Sequence, residues 1–543
     1  MYQIALNQIG YLPCSKKTAV FRGECADTEF EVVDASKNTV VFIGTISDKR
    51  YSPSSGENVC TGDFSALAEN GTYYIRTKSC GASAPFKIGN DIFNDLLGDT
   101  VRMMYMQRCG VALEEKYAGK FSHKACHTHK AYFYGTEECA DVSGGWHDAG
   151  DYGRYPVAAA VTAAELLLAY ETAPQLFPDD TNIPESGNGV PDILDEVKYC
   201  LDWLFKMQSP EGGVYHKVTC ANFPGYIMPE EETDRLIICP VSKTATADFA
   251  AVMAMAHDSF AEVYPDYAEK CLSAAERAWV FLEGGGGALI TKNPEGIVTG
   301  AYSDDCCEDE FYWAAAQLYK ATGKEKYRSY FEKAAAEKVF AGFGWRNVGH
   351  FGNIAYLSLK AEMKDPAVTD ESVSDMISKA VISEANHYVS CAASDGYGSA
   401  LKHYWWGSNM QATACGMVCM LAYKLTGDAA YYDAAVGQLD FLLGKNPMGI
   451  CYVTGWGTSA PRDPHHRPSI AAGEAVKGMV VGGADQELDD HIVKEKCKDA
   501  FPAMCYIDDC NSYSTNEVDT YWNSLLTLLL VWISNTNNHL TYG

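Results

Sequence analysis

The sequence predicts a multidomain chain, with a small all-β sandwich at the N-terminus followed by an all-α body of helix pairs closed into a ring. Three observations carry this. The 543 residues exceed what a single hydrophobic core normally holds. Residues 1–88 consist of short β-branched and aromatic runs separated by turn clusters. From about residue 91 onward apolar positions recur at helical spacing.

In the first part, the runs "FEVVD", "TVVFIGTI" and "GTYYIRT" read as strands, and "DASKN", "SPSSGEN" and "AENG" as the turns between them. In the second part, "PVAAAVTAAELLLAYE" opens on Pro156, whose fixed φ suits a first helical turn. Over residues 191–208 Ile193, Leu194, Val197, Leu201 and Leu204 fall on one stripe. Further helical patterns cover residues 245–264, 268–283, 309–323, 327–340, 352–363, 373–389, 409–427, 431–444 and 518–534. Residues 313–327 and 416–432 share a pattern in which an apolar helix ends at Thr-Gly before another begins, as glycine at a helix C-terminus permits. Repetition of such hairpins over some 450 residues predicts the ring. Long Gly- and Pro-rich loops interrupt it at 141–155, 209–243 and 444–485, and loops of that length in a compact domain usually carry function.

Composition narrows the partners. Lysine and arginine total 43 against 71 aspartates and glutamates, a net charge of −28. Such a surface repels nucleic acid and anionic membranes and suits a neutral or cationic partner. The longest apolar run, around Leu525 to Ile533, is too short to span a bilayer. "MYQIALNQIGYLP" carries no signal-peptide pattern, so the expectation is a cytoplasmic protein, or a secreted one if a signal segment has been removed. The twenty cysteines are scattered through a large chain and read mostly as reduced, buried small hydrophobes.

Three loop segments concentrate reactive side chains. "GGWHDAGDYGRY" (144–155) sets Asp148 and Asp151 three apart among four glycines, which argues against a settled helix and for a shaped loop. "CYVTGWGTSAPRDPHHRPS" (451–469) holds His465, His466 and Arg467, able to donate to hydroxyls and carboxylates or to cap a helix. "DDCNSYSTNEVDTYWN" (508–523) sets Glu517 among Tyr513, Val518, Tyr521 and Trp522. Acetal hydrolysis needs one carboxylic acid to protonate the leaving oxygen and one carboxylate to activate water or attack. Asp151 and Glu517 suit those tasks, with Asp148 close enough to Asp151 to share a water. Glu517 also reads as a residue at a helix N-terminus, with Ser514 or Thr515 as cap. Trp405, Trp406 and Trp456, in loops, are candidate platforms for sugar rings. Cys109, Cys126, His127 and His147 make a set of two thiolates and two imidazoles such as holds structural zinc, although the spacing is not that of a standard finger and His123 and His129 compete. As a ligand, His147 would clamp the loop that carries Asp148 and Asp151.

Taken together, the three segments resemble glycoside hydrolase family 9, the inverting cellulases and cellodextrinases, in motif order and spacing. "NQIGYLP" and "SAPFKIG" resemble the immunoglobulin-like domain that precedes the catalytic domain in one branch. The resemblance covers essentially the whole chain. It implies an immunoglobulin-like β-sandwich over 1–88 and an (α/α)6 barrel over 91–543 that cleaves β-1,4-glucosidic bonds with inversion. It further implies Asp151 as base, Asp148 as its partner in holding the water, and Glu517 as general acid. His465, Arg467 and Tyr521 would lie in the sugar subsites, together with the tryptophans Trp405 and Trp456. Inversion requires the carboxyls of Asp151 and Glu517 to stand roughly 6.5–9.5 Å apart. The zinc-bearing branch matches Cys109, Cys126, His127 and His147. The family's calcium element Ser-Gly-x-x-Asp-Glu has its counterpart in "DDCCEDE", which implies calcium at Asp305, Asp309 and Glu310. Here Asp305 and Cys306 replace the serine and glycine, and Asn347 stands where an aspartate is expected. The partner implied is a β-glucan or cello-oligosaccharide. Alternatives within reach of the sequence are an exo-acting glucosaminidase on chitosan oligomers, which an acidic surface tolerates, and a carbohydrate-binding protein that no longer turns over.

Overall fold

The computed structural model describes residues 3–23, 25–363 and 368–535. Ten strands come first: β1 (Ile4–Ala5), β2 (Gly10–Tyr11), β3 (Thr18–Arg22), β4 (Glu29–Asp34), β5 (Thr39–Thr45), β6 (Arg50–Ser52), β7 (Glu57–Asp63), β8 (Gly71–Thr77), β9 (Gly81–Ala82) and β10 (Phe86–Ile88). They form two sheets, one in the order β1-β3-β7-β6 and one in the order β2-β10-β8-β4-β5 with β9 added to β8. All pairs are antiparallel except β2 with β10. Alternation explains the sandwich. In β10 Phe86 and Ile88 are buried and Lys87 is exposed, and in β8 Tyr73 and Ile75 point inward. These join Phe21, Phe30, Val32 and Phe64 in one core.

Twelve helices of thirteen or more residues follow among the described residues, from Asn94–Met106 to Thr520–Ser534. The predicted Thr-Gly stops are helix ends, with Gly323 (φ 64°) and Gly427 (φ 71°) in the left-handed conformation that lets a helix close its last carbonyls. Sequential helices pack as hairpins: Lys243–Phe260 on Pro265–Glu283, and Ser408–Thr426 on Ala429–Leu442. The segment 209–243, read from sequence as one long loop, contains four two-residue strands. Val218–Thr219 and Ile237–Ile238 pair with each other, and the latter also pairs with Ala131–Phe133. Strands this short show no period-2 signal. The predicted span 91–543 ends in eight residues that lie outside the described ones.

The described residues divide into two compact units. One comprises 3–100, 382–522 and 529–535; the other comprises 101–381, where described, and 523–528. Within the first, the sandwich is fastened to helical segments. Asn7 Nδ2 donates to Asp440 Oδ1 at 2.9 Å and Ser54 Oγ to Asp395 Oδ2 at 2.7 Å. No helix of the described residues is long and apolar enough to cross a membrane.

Candidate active site

The segment 141–155 contains no helix or strand, yet it is tied down throughout. Cys109 N–H donates to Gly145 O, His147 N–H to Gln107 O, and the Gln107 side-chain amide to the carbonyls of His147 and Ala149. Arg154, buried, donates to the carbonyls of Val142 and Gly144. Gly145 has φ 76°, and a Cβ there would stand 2.6 Å from the indole of buried Trp203, so only glycine allows the loop this close to the helix Asp192–Met207.

The loop buries Asp148 and Asp151, at 5% and 6% exposure. Asp148 Oδ2 accepts from Tyr302 Oη at 2.5 Å. Asp151 Oδ2 accepts from Gly153 N–H at 3.2 Å and from Tyr155 Oη at 3.4 Å. Burial holds the Asp148 carboxyl well above the usual range; the Tyr302 hydrogen bond opposes this and the charge of Asp151 adds to it. Two carboxyls, one biased toward its neutral form, therefore share one water-excluding loop.

Next to them Cys109, Cys126, His127 and His147 bring one donor atom each within 4.8 Å of one another, all buried; among the described residues no other group of three or more such donors does so. Cys109 Sγ lies 3.5 Å from His127 Nδ1, His147 Nε2 lies 3.4 Å from the same nitrogen, and Cys126 Sγ lies 3.8 Å from His147 Nε2. The edges of a zinc tetrahedron with bonds of about 2.0–2.3 Å are roughly 3.3–3.8 Å, and these three of the six edges fall in that range. His127 Nε2 meets Glu232 Oε2 at 2.9 Å, the carboxylate–imidazole pairing that orients a metal-binding histidine. Burial alone would lower His127, but the Cys109 thiolate and Glu232 outweigh it and bring it to about 9. His123 is turned elsewhere, its Nδ1 on Lys124 O, and His129 contacts Asp234 O.

The predicted acid and sugar-contact residues belong to the first unit. Glu517, half-buried, lies just outside the one-turn helix Tyr513–Asn516 in extended conformation, and Asp519 rather than Ser514 or Thr515 caps the last long helix. Glu517 is bridged to His465, and its carbonyl accepts from Gly482 N–H at 2.9 Å. His465 Nδ1 sits 2.6 Å from Cys510 O, which fixes the tautomer with its proton there. His466 caps the helix Arg467–Ala472 by accepting from Ser469 N–H. His465 contacts the Tyr513 ring at 6.1 Å, and Tyr513 contacts Trp406 at 5.3 Å. Trp405, 43% exposed, stacks beside His403. Tyr521 is buried beside Trp522. Trp456 has different neighbours: its indole donates to Asp99 and Lys477 lies over one face of its ring.

Two family models match the chain: Glycosyl hydrolase family 9 over residues 93–530 and Cellulase N-terminal ig-like domain over residues 1–82. The chain belongs to glycoside hydrolase family 9. It is 36% identical to Endoglucanase D of Acetivibrio thermocellus, over all of this chain and 85% of that protein. It is also 36% identical to a cellodextrinase of Butyrivibrio fibrisolvens, over 98% of this chain and 99% of that one. A thermostable endoglucanase variant from Alicyclobacillus acidocaldarius superposes with a TM-score of 0.90 at 34% identity, covering 98% of this chain and all of that one. A Zn-binding triple mutant of a family 9 endoglucanase gives 0.89 at 33% identity, covering 96% and 99%. The fold class is therefore an N-terminal immunoglobulin-like β domain followed by a helical family 9 domain of the (α/α)6-barrel kind, and the protein is a glycoside hydrolase.

One implied family 9 feature is not assembled as the sequence suggested. Asp305 is exposed and paired with Arg346, apart from buried Asp309 and Glu310. Buried neighbours of those two are Asp248, on the helix Lys243–Phe260, and Asp304. Both carboxylate oxygens of Asp248 and of Glu310 lack hydrogen-bond partners. Asp305 follows the motif register but its backbone lies before the helix Glu308–Thr322, where the side chain turns to solvent. Sequence reasoning also missed Tyr302, Gln107 and Glu232. They lie 154, 40 and 105 positions from Asp148, His147 and His127 respectively, with no local pattern to mark them.

Proposed function

We propose that the protein is an inverting β-1,4-glucanase acting on soluble glucans or cellodextrins, with its catalytic domain beginning after residue 88, at about residue 91. Asp151 takes a proton from water, Asp148 helps hold that water, and the oxygen attacks the anomeric carbon. Glu517 protonates the departing glycosidic oxygen. The observation that carries the reading is the pair of buried carboxylates in one glycine-hinged loop with Tyr302 donating to Asp148. A buried carboxyl pair of this kind costs stability, and its retention argues for use in proton transfer. Support for the substrate comes from the relatives, among them a xyloglucan-specific endo-β-1,4-glucanase of Bacteroides ovatus at 34% identity. His465, Arg467, Tyr521 and the Trp405–Trp406 pair would contact sugar; Trp456 would serve the fold. Assay of reduced cellopentaose by Asp151→Asn and Glu517→Gln tests the roles. Each loses roughly a thousandfold or more in kcat, and wild-type rates in either would overturn the assignment.

Zinc would be held by Cys109, Cys126, His127 and His147. Four protein donors leave no open position, so the metal would brace the loop that carries Asp148 and Asp151 and take no part in bond cleavage. Calcium, whose ligands are oxygens, would find them in Asp309 and Glu310 with Asp248 beside them. Protons are the competing way to neutralise these buried carboxyls. A fall in Tm on adding EGTA that excess calcium reverses in the Cys126→Ser background supports calcium; an unchanged Tm in that background supports protons.

A further inference from the structure

Two adjacent buried residues, His216 and Lys217, lie between the short strands Val214–Tyr215 and Val218–Thr219. Neither belongs to the loop of Asp148 and Asp151 or to the cysteine–histidine cage. Lys217 is fully buried and forms no salt bridge with a described residue. Its ammonium donates to neutral acceptors instead: Gly300 O at 2.6 Å, Asn293 Oδ1 at 2.7 Å, Thr299 Oγ1 at 3.2 Å and Thr299 O at 3.4 Å. His216 Nε2 lies 2.8 Å from the next carbonyl, Ala301 O, and its Nδ1 lies 3.0 Å from Ser242 Oγ. Burial lowers His216 to about 4, so near neutrality it is the uncharged ring, donating through Nε2 and accepting at Nδ1. Three consecutive carbonyls, Thr299, Gly300 and Ala301, are thus gripped by two consecutive side chains.

The gripped strand of chain is a strap. Asn293 Nδ2 crosses it to Thr299 O, Val298 N–H donates to Ala221 O, and Asp304 N–H donates to Ile290 O. The residue immediately after the grip is Tyr302, whose φ of 43° lies in the left-handed region that tyrosine rarely adopts. Such a conformation persists only where the surroundings impose it. The ring of Tyr302 stands 4.7 Å from that of Tyr155 and 5.0 Å from that of Trp345, and its hydroxyl reaches Asp148. Lys217 lies under the same Tyr155 ring, 5.6 Å from its centroid. A buried ammonium is a costly way to hold a loop when an amide could do so: burial lowers Lys217 to about 8, against which the charges of Cys239 and Asp151 act. What it provides is a donor with three hydrogens, enough to gather several acceptors at once.

We propose that Lys217 is a positioning residue for hydrolysis: with His216 it clamps the strap 293–304 by its carbonyls and so holds Tyr302 in the one backbone conformation from which its hydroxyl meets Asp148. The proposal rests on the assignment of Asp148 and Asp151 to catalysis. It adds to that assignment a residue which touches neither carboxylate by hydrogen bond and reaches Asp148 through the strap.

The test is a double-mutant cycle on reduced cellopentaose, with Lys217→Met, Tyr302→Phe and the double variant, and with Tm measured for each. Lys217→Met is expected to lower kcat about tenfold or more with KM changed less than threefold. In the Tyr302→Phe background the same substitution costs no more than about threefold further, because the hydroxyl it positions is already gone. Multiplicative losses, or a wild-type kcat in Lys217→Met, overturn the proposal. Should Lys217→Met not fold, Asn293→Ala removes only one brace of the strap. It is expected to lower kcat severalfold in the wild-type background and not in Tyr302→Phe, and equal losses in both overturn the proposal. Failure of the catalytic assignment looks different, since Asp151→Asn and Tyr302→Phe would then themselves keep wild-type rates.

Discussion

Replacing Tyr302 by Phe deletes one oxygen and keeps the ring that packs between Tyr155 and Trp345. What is lost is the donor to Asp148 Oδ2, at 2.5 Å, on a carboxyl that is 5% exposed. Leaving a buried acceptor without its donor costs about 1–3 kcal/mol, and every 1.36 kcal/mol in the barrier is about tenfold in rate. If the bond holds Asp148 in the geometry that steers the attacking water, the substitution lowers kcat by about 5- to 150-fold. KM should stay near its wild-type value, since no sugar contact is assigned to Tyr302. The assay is the initial rate on reduced cellopentaose over a range of concentrations, with thermal unfolding run alongside. A Tm within a few degrees of wild type shows that the ring still packs. A folded variant with wild-type kcat would refute the reasoning, because Asp148 would then need no orienting donor.

Other expectations concern the cage, the platforms and pH. Cys126→Ser should abolish stoichiometric zinc by elemental analysis and lower Tm by roughly 10 °C, from a loss of a few kcal/mol at about 2–4 °C per kcal/mol; an unchanged Tm would contradict a bracing metal. Trp406→Ala should raise KM severalfold through loss of a stacking face, whereas Trp456→Ala should lower Tm and leave KM alone. The reverse pattern would exchange their roles. His216 is depressed from 6.5 to about 4 by burial, so the folded state resists its protonation. Its contribution is present above the unfolded value and is lost as pH falls from about 6.5 toward 4. The loss amounts to about 3 kcal/mol. The acid-side fall in stability should therefore be shallower in a folded His216→Asn variant, and identical slopes would show that other groups control it.

Local chemistry was legible in the sequence and distant pairing was not. Thr-Gly stops, Pro156 at a first helical turn and the β-branched and aromatic run of strand β8 are read from neighbours in the chain, and each has its counterpart in the structure. The cysteine–histidine cage was readable because the resemblance to the zinc-bearing branch singled out four donors among twenty cysteines and thirteen histidines, and the fold brings those four together. Tyr302 and Lys217 were not readable. A tyrosine and a lysine in a chain with many of both carry no signal until folding brings one to a carboxylate and the other to a row of carbonyls. A motif register places Asp305 along the chain but does not show that its side chain pairs with Arg346 at the surface, and nothing near Trp456 in the sequence marks Asp99 and Lys477 as the neighbours of its edge and face.

Proton NMR of fresh digests of a β-linked substrate such as reduced cellopentaose tests the mechanism most directly. A single displacement by water held at Asp151 and Asp148 places the new hydroxyl on the opposite face of the sugar. The α-anomer should therefore appear first and mutarotate later toward equilibrium. Initial release of the β-anomer would mean a covalent intermediate and two displacements, and would contradict the roles given to Asp151, Asp148 and Glu517.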